Sequence, residues 1–556
     1  MQNTNASGTR TRAAAERARA WREAGLWDET TLFQHVRTHA RSRPDSLAVV
    51  DAGGRRTTSR AELFETALRL AAHLHRRGVR EGDVVSVQLP NQREAVAAAV
   101  AIQGLGAIVN PLLPGYRTRE LAHVFEVARP KAILTPATHR DFDHRPLVDD
   151  VRTRTGVSPW HVVVGSPEGG EREEIGGDVG FHAACREGAA AARPDAPGGD
   201  ARSVSEVIFT SGTESAPKAI LHTEETVGFS LRVAWQDMGL CEDDVVWMPS
   251  PIGHSTGFNY GLRMALHFGL PLVLQDRWDA RAAIGLVDTF GATYTLAATT
   301  FLKDLVDLAR AEGRRLSSLR CFGCGGAPVP PALVRYARQV GIGVRRLYGS
   351  TEVLVATWNR ADSPIACLDE TDGRALSQVE VEVRDDAGRP CPAGEPGEIH
   401  VRGPNTCVGF LDDPERETRT ISDEGWVRSG DLGVLDATGH LTIVGRSKDI
   451  VIRGGLNIAP REIEDLILAF PEVVSAAIVG VPDPRLGERC CACLVLRDGA
   501  ELDLESLTRR LRDQGLATHK LPERLEILDS LPTTASGKIQ KFRILERLGG
   551  HGKEEA

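Results

Sequence analysis

The chain has 556 residues, 41% of them hydrophobic, with a formal net charge of −9. A pI near 6.0 is not the basic signature of a nucleic-acid binder, and 56 Gly with 30 Pro exclude collagen-like repeats and bulk disorder. At about 150 residues per domain this length predicts three to four folding units, with a core that needs neither disulfides nor metals.

The first 27 residues are charged and lack the apolar core of a targeting signal. LAVVD (47–51) and VVSVQL (84–89) read as strands, and 61–78 as an amphipathic helix ending at Gly78. The most apolar stretch, Glu94 to Leu113, is interrupted by Gln103, Asn110 and two glycines. It falls short of a span of about 20 apolar residues and predicts a buried helix (94–105) running into a strand (107–113). A helix over 119–127 and a strand over 131–135 continue the alternation, which implies a mainly parallel α/β sheet. Residues 166–203, rich in Gly, Ala, Pro and charge, predict a surface excursion, and the α/β pattern resumes at Val204. Beyond Arg446 it changes to helix 460–469, strands 474–481 and 490–496, helix 503–514 and strand 525–529. These readings give one large domain over 1–445 and a small α+β domain over 446–556, in a cytoplasmic protein that neither crosses membranes nor binds nucleic acid.

The ten cysteines form neither a disulfide framework nor a zinc pattern. Cys321 and Cys324 have no second pair at zinc-ribbon distance, and Cys490, Cys491 and Cys493 crowd a strand-like run, so all read as small buried hydrophobes. The cations are more informative, with eight Lys against 59 Arg. Positions that keep lysine are candidates for a compact point charge that a guanidinium cannot replace.

Four segments carry chemistry. VIFTSGTESAPKAILHT (207–223) opens from an apolar strand into hydroxyl residues and Gly212, whose N–H and O–H groups suit phosphate oxygens, with Lys218 as a point charge. It is not the Walker pattern. YGSTEV (348–353) follows LRCFGCGGAPVPPALV (319–334); the Gly-Gly-Ala-Pro turn offers a flat backbone to a planar ring, and Glu352 a carboxylate for Mg²⁺ on a nucleotide phosphate. WVRSGDLGVLDATGHLTIVGRSKDIVIRGGLNIAPREIE (426–464) sets Asp431 in a glycine-flanked turn, suited to ribose hydroxyls, and DATG (436–439) signals a hairpin. LPTTASGKIQKFRIL (531–545) places Lys538 in a polar loop before a short helix.

In this order and spacing the four segments resemble the adenylate-forming superfamily of acyl- and aryl-CoA synthetases, peptide-synthetase adenylation domains and luciferases. The resemblance covers about residues 30–545 and includes LPNQREAVAAAVAIQGLGAIVNPLLPGY (89–116) and VPDPRLGE (481–488). Lys218, Lys448, Lys538 and Lys541 all fall in motif segments.

The resemblance implies an α/β fold: a large multi-subdomain N-terminal domain with mainly parallel sheets, plus a small mobile α+β C-terminal domain. It implies an ATP-dependent ligase that converts an acid to an acyl-adenylate and pyrophosphate and passes the acyl group to coenzyme A, with ATP, Mg²⁺ and coenzyme A as cofactors. Catalysis falls to Lys538, Glu352 and Thr210. Thr210, Ser211, Gly212, Thr213 and Lys218 form the phosphate loop, and Gly325, Gly326, Ala327 and Pro328 line the adenine side. Tyr348, Gly349, Ser350, Thr351 and Glu352 contact adenine, the α-phosphate and the metal. Asp431 binds ribose with Arg446 close by, and Lys538 bridges the carboxylate and the α-phosphate. Lys448 is the hinge, and Gly454, Gly455 and Asn457 belong to the thiol tunnel. SPIGHSTGF (250–258) makes His254 the gate of the acid pocket, with Phe258, Asn259, Thr299, Gly323 and Val353 as walls. The loop style leans toward an aromatic, alicyclic or medium-chain acid.

Three departures stand in the phosphate loop, where Glu214 and Ser215 replace the usual Thr and Gly and Ala219 replaces the last Gly. A carboxylate about 4 Å from a phosphate costs about 4 kcal/mol at an effective dielectric of 20, so Glu214 points away, shares the metal or weakens nucleotide binding. Alternatives keep the adenylation machinery and change the acceptor to a carrier-protein thiol, an amine, or nitrite activated for diazotisation. A non-catalytic nucleotide-binding homologue is the alternative of another class. The partner is a small-molecule acid, and a carrier protein and a homodimer stay open.

Overall fold

The structure, a computed structural model, describes residues 8–165, 174–175, 178–190, 198–210, 217–446, 449–453, 456–534 and 539–549. A long buried run lies in the helix Arg93–Gly104, in which every residue from Ala95 to Gly104 is buried. A helix apolar all round has to lie inside the protein, and this one runs straight into the strand Ile108–Pro111, as the sequence predicts.

Around it stand two nine-stranded sheets. In one, Val344–Ser350, Cys321–Cys324, Tyr294–Ala297, Val246–Met248, Leu272–Leu274 and Leu47–Val50 lie side by side and parallel. In the other, Val204–Thr210, Ile108–Pro111, Val84–Val87, Ala132–Pro136 and Trp160–Val164 do the same. Antiparallel strands close the edges, among them Leu354–Trp358 beside Val344–Ser350 and Lys218–Thr223 beside Val204–Thr210. A third, four-stranded antiparallel sheet holds Val427–Leu435 against Leu441–Arg446. Its turn is the predicted DATG hairpin: Asp436 Oδ1 accepts from the N–H groups of Thr438 and His440, and Gly439 takes φ +81°.

The expected surface excursion over 166–203 needs correction in its described part. Phe181–Ala190 is a helix packed on the helix Arg60–Arg76, with Phe181 and Ala184 buried. Its small residues mark close approach, not a loop. A Cβ on Gly188 would stand 1.8 Å from the Arg69 carbonyl oxygen, so the two helices meet only because glycine is there.

From Val451 the chain builds a separate five-stranded sheet, with Gly487–Leu496 at its centre and the long strand Val473–Asp483 paired along it. One face packs Ile463, Ile467, Ile478 and Cys490, the other Val479, Cys491, Cys493 and Ile544. Cysteines 490, 491 and 493 therefore alternate across a strand as buried, free thiols. No described helix is long and apolar enough to cross a membrane.

Candidate active site

One cavity of about 920 Å³ gathers the motif residues, lined by both the large region and the small C-terminal one. The strand Val204–Thr210 delivers Thr210 to it, and the returning strand brings Lys218 to the register position opposite. Lys218 Nζ lies 3.8 Å from Glu352 Oε1. Ser211, Gly212 and Thr213, with Glu214 and Ser215, lie outside the described residues.

The strand Cys321–Cys324 ends in Gly325, Gly326, Ala327 and Pro328, all four on the cavity wall. A Cβ on Gly325 would sit 2.6 Å from the Leu347 carbonyl oxygen, and Gly326 takes φ +76°. The turn thus needs glycine twice over, once for space and once for conformation.

Tyr348, Gly349, Ser350, Thr351 and Glu352 face the same space. The Tyr348 hydroxyl donates to Asp431 Oδ2 at 2.9 Å, and Arg446 Nε lies 2.9 Å from Asp431 Oδ1. Asp431 and Arg446 are register partners across two antiparallel strands, so sheet geometry sets their distance. Burial, with Asp431 beside it, pushes the Tyr348 hydroxyl well above the usual tyrosine range. For Arg446 burial works against the charge, but Asp431, Asp449 and Glu352 outweigh it and hold the guanidinium above its ordinary value. A carboxylate has about four lone-pair sites, so Asp431 keeps acceptor capacity for a ligand hydroxyl pair while anchored by both neighbours.

At the other end His254 lines the cavity, and its Nδ1 accepts from the Thr256 N–H at 3.3 Å, capping a short helix. Thr299 lines it too. Phe258, Asn259, Gly323 and Val353, expected as walls, are buried and do not line it. Phe258 and Asn259 open a π-helical segment, Phe258–Arg263, whose polar side chains turn into the core. Asn259 donates to Glu206 Oε1 at 2.9 Å, and Arg263 bridges Glu206 and Glu224 at 2.8 and 2.7 Å. The space beside Gly323 is filled by Trp358 and Leu296, 3.0 and 3.1 Å from where a Cβ would be. The wall is made by Leu296, Tyr260, Leu354 and Val355 instead. Tyr260 lies just beyond the SPIGHSTGF motif, and only the π-helical pitch brings it round to the cavity.

From the small region, Thr533, Thr534, Ile539 and Gln540 line the cavity on either side of the loop that carries Lys538 in sequence. Lys538 itself, Lys448, Gly454 and Gly455 lie outside the described residues. Asn457 pairs with Ile452 across the antiparallel strands Val451–Arg453 and Leu456–Ile458. Lys541 Nζ makes a buried contact of 2.7 Å with Glu464. Among the described residues no cluster of three or more His, Cys, Asp or Glu could hold a metal alone. Glu352 offers one carboxylate inside the cavity, which fits Mg²⁺, an ion usually held by one or two carboxylates plus substrate phosphates.

With this geometry in view, comparison with known proteins gives a consistent result. The family model "AMP-binding enzyme" matches residues 36–411, and "AMP-binding enzyme C-terminal domain" matches residues 462–538. The medium-chain fatty-acid–CoA ligase of Escherichia coli is 35% identical over 528 residues, 95% of this chain and 92% of that protein. A Mycobacterium tuberculosis protein named salicyl-AMP ligase / salicyl-S-ArCP synthetase is 32% identical over 541 residues, 96% of this chain and 94% of its own. Among solved structures, ATP-bound MatB from Rhodopseudomonas palustris superposes with a TM-score of 0.82 at 28% identity, covering 94% of this chain and 99% of that one.

Proposed function

We propose, from the premise that this chain belongs to the AMP-binding enzyme family and is an ATP-dependent, AMP-forming acid ligase, that it transfers the activated acyl group to the thiol of coenzyme A. Its acid is a medium-chain, aromatic or alicyclic carboxylate. One observation carries the reading: Tyr348, Asp431 and Arg446 are hydrogen-bonded into one unit in the cavity that also holds Thr210, Lys218 and Glu352.

The roles follow from the residue types. Asp431 takes the ribose hydroxyls on its remaining lone pairs, and Gly325 to Pro328 lie flat against adenine. Thr210, Ser211, Gly212, Thr213 and Lys218 surround the phosphates. The attack brings an anionic carboxylate to an anionic α-phosphate, so the barrier is largely charge repulsion. Lys538 spans the two groups and stabilises the charge as it develops, inside a site closed to water by the small domain. Mg²⁺, held by Glu352, would neutralise phosphate charge. His254 shapes the entry to the acid end beside Tyr260 and Leu296. For the second step Lys448 is the hinge, and Gly454, Gly455 and Asn457 approach the thiol path. The domain boundary falls at residue 446; the independent cores beyond Val451, and a gap between the two family matches, support that placement.

A carrier-protein thiol is the second reading, favoured by the name of the Mycobacterium relative. The experiment is pyrophosphate release with ATP and Mg²⁺ across medium-chain, aromatic and alicyclic acids, with coenzyme A, with nitrite, and with neither. Release stimulated by coenzyme A, with an acyl-CoA seen by mass, is the expected result. Adenylation that coenzyme A leaves unchanged overturns the acceptor, and stimulation by nitrite alone replaces it.

A further inference from the structure

The segment Thr351–Val355, which carries Glu352, is held by groups from three distant parts of the chain, around residues 222, 260 and 405–407. His222, fully buried, lies with Nε2 2.7 Å from the Thr351 carbonyl oxygen. Burial pushes this imidazole below its ordinary range, and because a carbonyl oxygen only accepts, Nε2 is the donor in this contact. The Cys407 N–H donates to the Glu352 carbonyl at 2.7 Å. Asn405, also fully buried, donates its Nδ2 protons to the carbonyls of Val353 at 2.6 Å and Val355 at 3.1 Å. The Tyr260 hydroxyl accepts from the Val355 N–H at 2.8 Å and is itself paired with Ser230 Oγ at 2.6 Å.

What these contacts hold is a strained turn. Leu354 is a leucine at φ +52°, in the left-handed region that its Cβ disfavours. Its register partner is Ser350, and its carbonyl oxygen would come within 2.0 Å of a Cβ on the neighbouring Gly349. Such a conformation persists only where its surroundings over-determine it, and such residues gather at functional sites. Here the surroundings are the partners just named, and the neighbouring side chain on the strained turn is Glu352.

We propose that Asn405 and Tyr260, with His222, are positioning residues for Glu352: they fix the backbone of Thr351–Val355 so that this carboxylate is preset at the phosphate end of the cavity before ATP arrives. His222 stands near the end of the segment 207–223, whereas Asn405 and Tyr260 lie outside every motif quoted for the site. The proposal rests on the reading of Glu352 as the metal-holding group.

The test measures ATP affinity calorimetrically, without acid, with and without Mg²⁺, in the full chain and in Asn405→Ala, Tyr260→Phe and Glu352→Gln. Wild type gains affinity on adding Mg²⁺. Asn405→Ala is expected to lose about tenfold of that gain, and Tyr260→Phe a smaller part, with metal-free affinity unchanged. In pyrophosphate exchange the double variant Asn405→Ala/Glu352→Gln is expected to be no slower than Glu352→Gln alone, because Asn405 acts through Glu352. An Asn405→Ala protein that melts like wild type and keeps the full gain, while Glu352→Gln loses it, overturns the positioning role alone. A Glu352→Gln protein that keeps the gain overturns the metal reading and the proposal with it. If Asn405→Ala does not fold, Tyr260→Phe, which keeps the ring and removes only the hydroxyl, decides.

Discussion

At the nucleotide end of the cavity the polar side chains face the ligand space and are paired with one another: Tyr348 to Asp431, Asp431 to Arg446, Lys218 beside Glu352. At the acid end the strongest polar groups turn away, and Glu206, Glu224, Asn259 and Arg263 form a buried cluster behind a wall of Leu296, Tyr260, Leu354 and Val355. The polar groups of the first end face the proposed nucleotide space, and those of the second hold the wall from behind. The difference teaches where substitutions should act. Changes at the nucleotide end strike a reaction step or ATP binding, and changes at the acid end strike acid choice or stability.

The largest effect that would sharpen this contrast is expected from Lys538→Ala. Adenylation should fall by about 10²–10³-fold, the scale of one lost transition-state donor, while thiolation of a supplied acyl-adenylate continues. Single-turnover assays of each half-reaction check it; equal loss in both would take the lysine out of the first step. Next, Asp431→Ala removes an acceptor shared by Tyr348 and Arg446. At about 1.5–3 kcal/mol for a hydrogen bond to a charged group, the KM for ATP should rise about 10- to 100-fold with the acid KM unmoved.

His254→Ala should do the reverse, changing the KM of the best acid a few-fold and the ranking of acids across a panel, while the KM for ATP stays put. A shift confined to ATP would erase the distinction between the two ends. The smallest effect concerns the dry packing behind the acid end. His267, in the helix that continues the π-helical segment, is held well below its ordinary 6.5 by burial, with His35, Arg232, Arg263 and His39 adding to it. A depressed folded pKa means stability that is full above 6.5 and is lost as pH falls from there toward the folded value. The loss should reach at most about 1.4 kcal/mol per pH unit for this ring. Urea unfolding of wild type and His267→Gln between pH 7.5 and 5.5 should show the shallower slope in the variant.

The convergence of the described motif residues at the end proposed for the nucleotide was legible in the sequence because they sit in contiguous, glycine-marked turns at strand ends, where local chemistry and backbone geometry coincide. Gly325 and Gly326, Asp431 in its turn, and the DATG hairpin are of this kind. The acid end was legible only in part. His254 and Thr299 reach the cavity, but Phe258, Asn259, Gly323 and Val353 do not: in the π-helical segment Tyr260 lines the wall while Asn259 turns to Glu206, and Trp358 and Leu296 fill the space beside Gly323.

By itself the sequence determined the α/β alternation, the buried helix after Arg93, the change of pattern near Arg446 and the motif order of an adenylate-forming enzyme. Hydrophobic periodicity and turn chemistry are local, so they can be read along the chain. Tertiary structure alone decided that the helix Phe181–Ala190 belongs to the core, which side chains wall the acid end, and that His222, Asn405 and Tyr260 converge behind Glu352. Those facts depend on contacts between residues far apart in sequence, and no local signal encodes which buried face a side chain will meet.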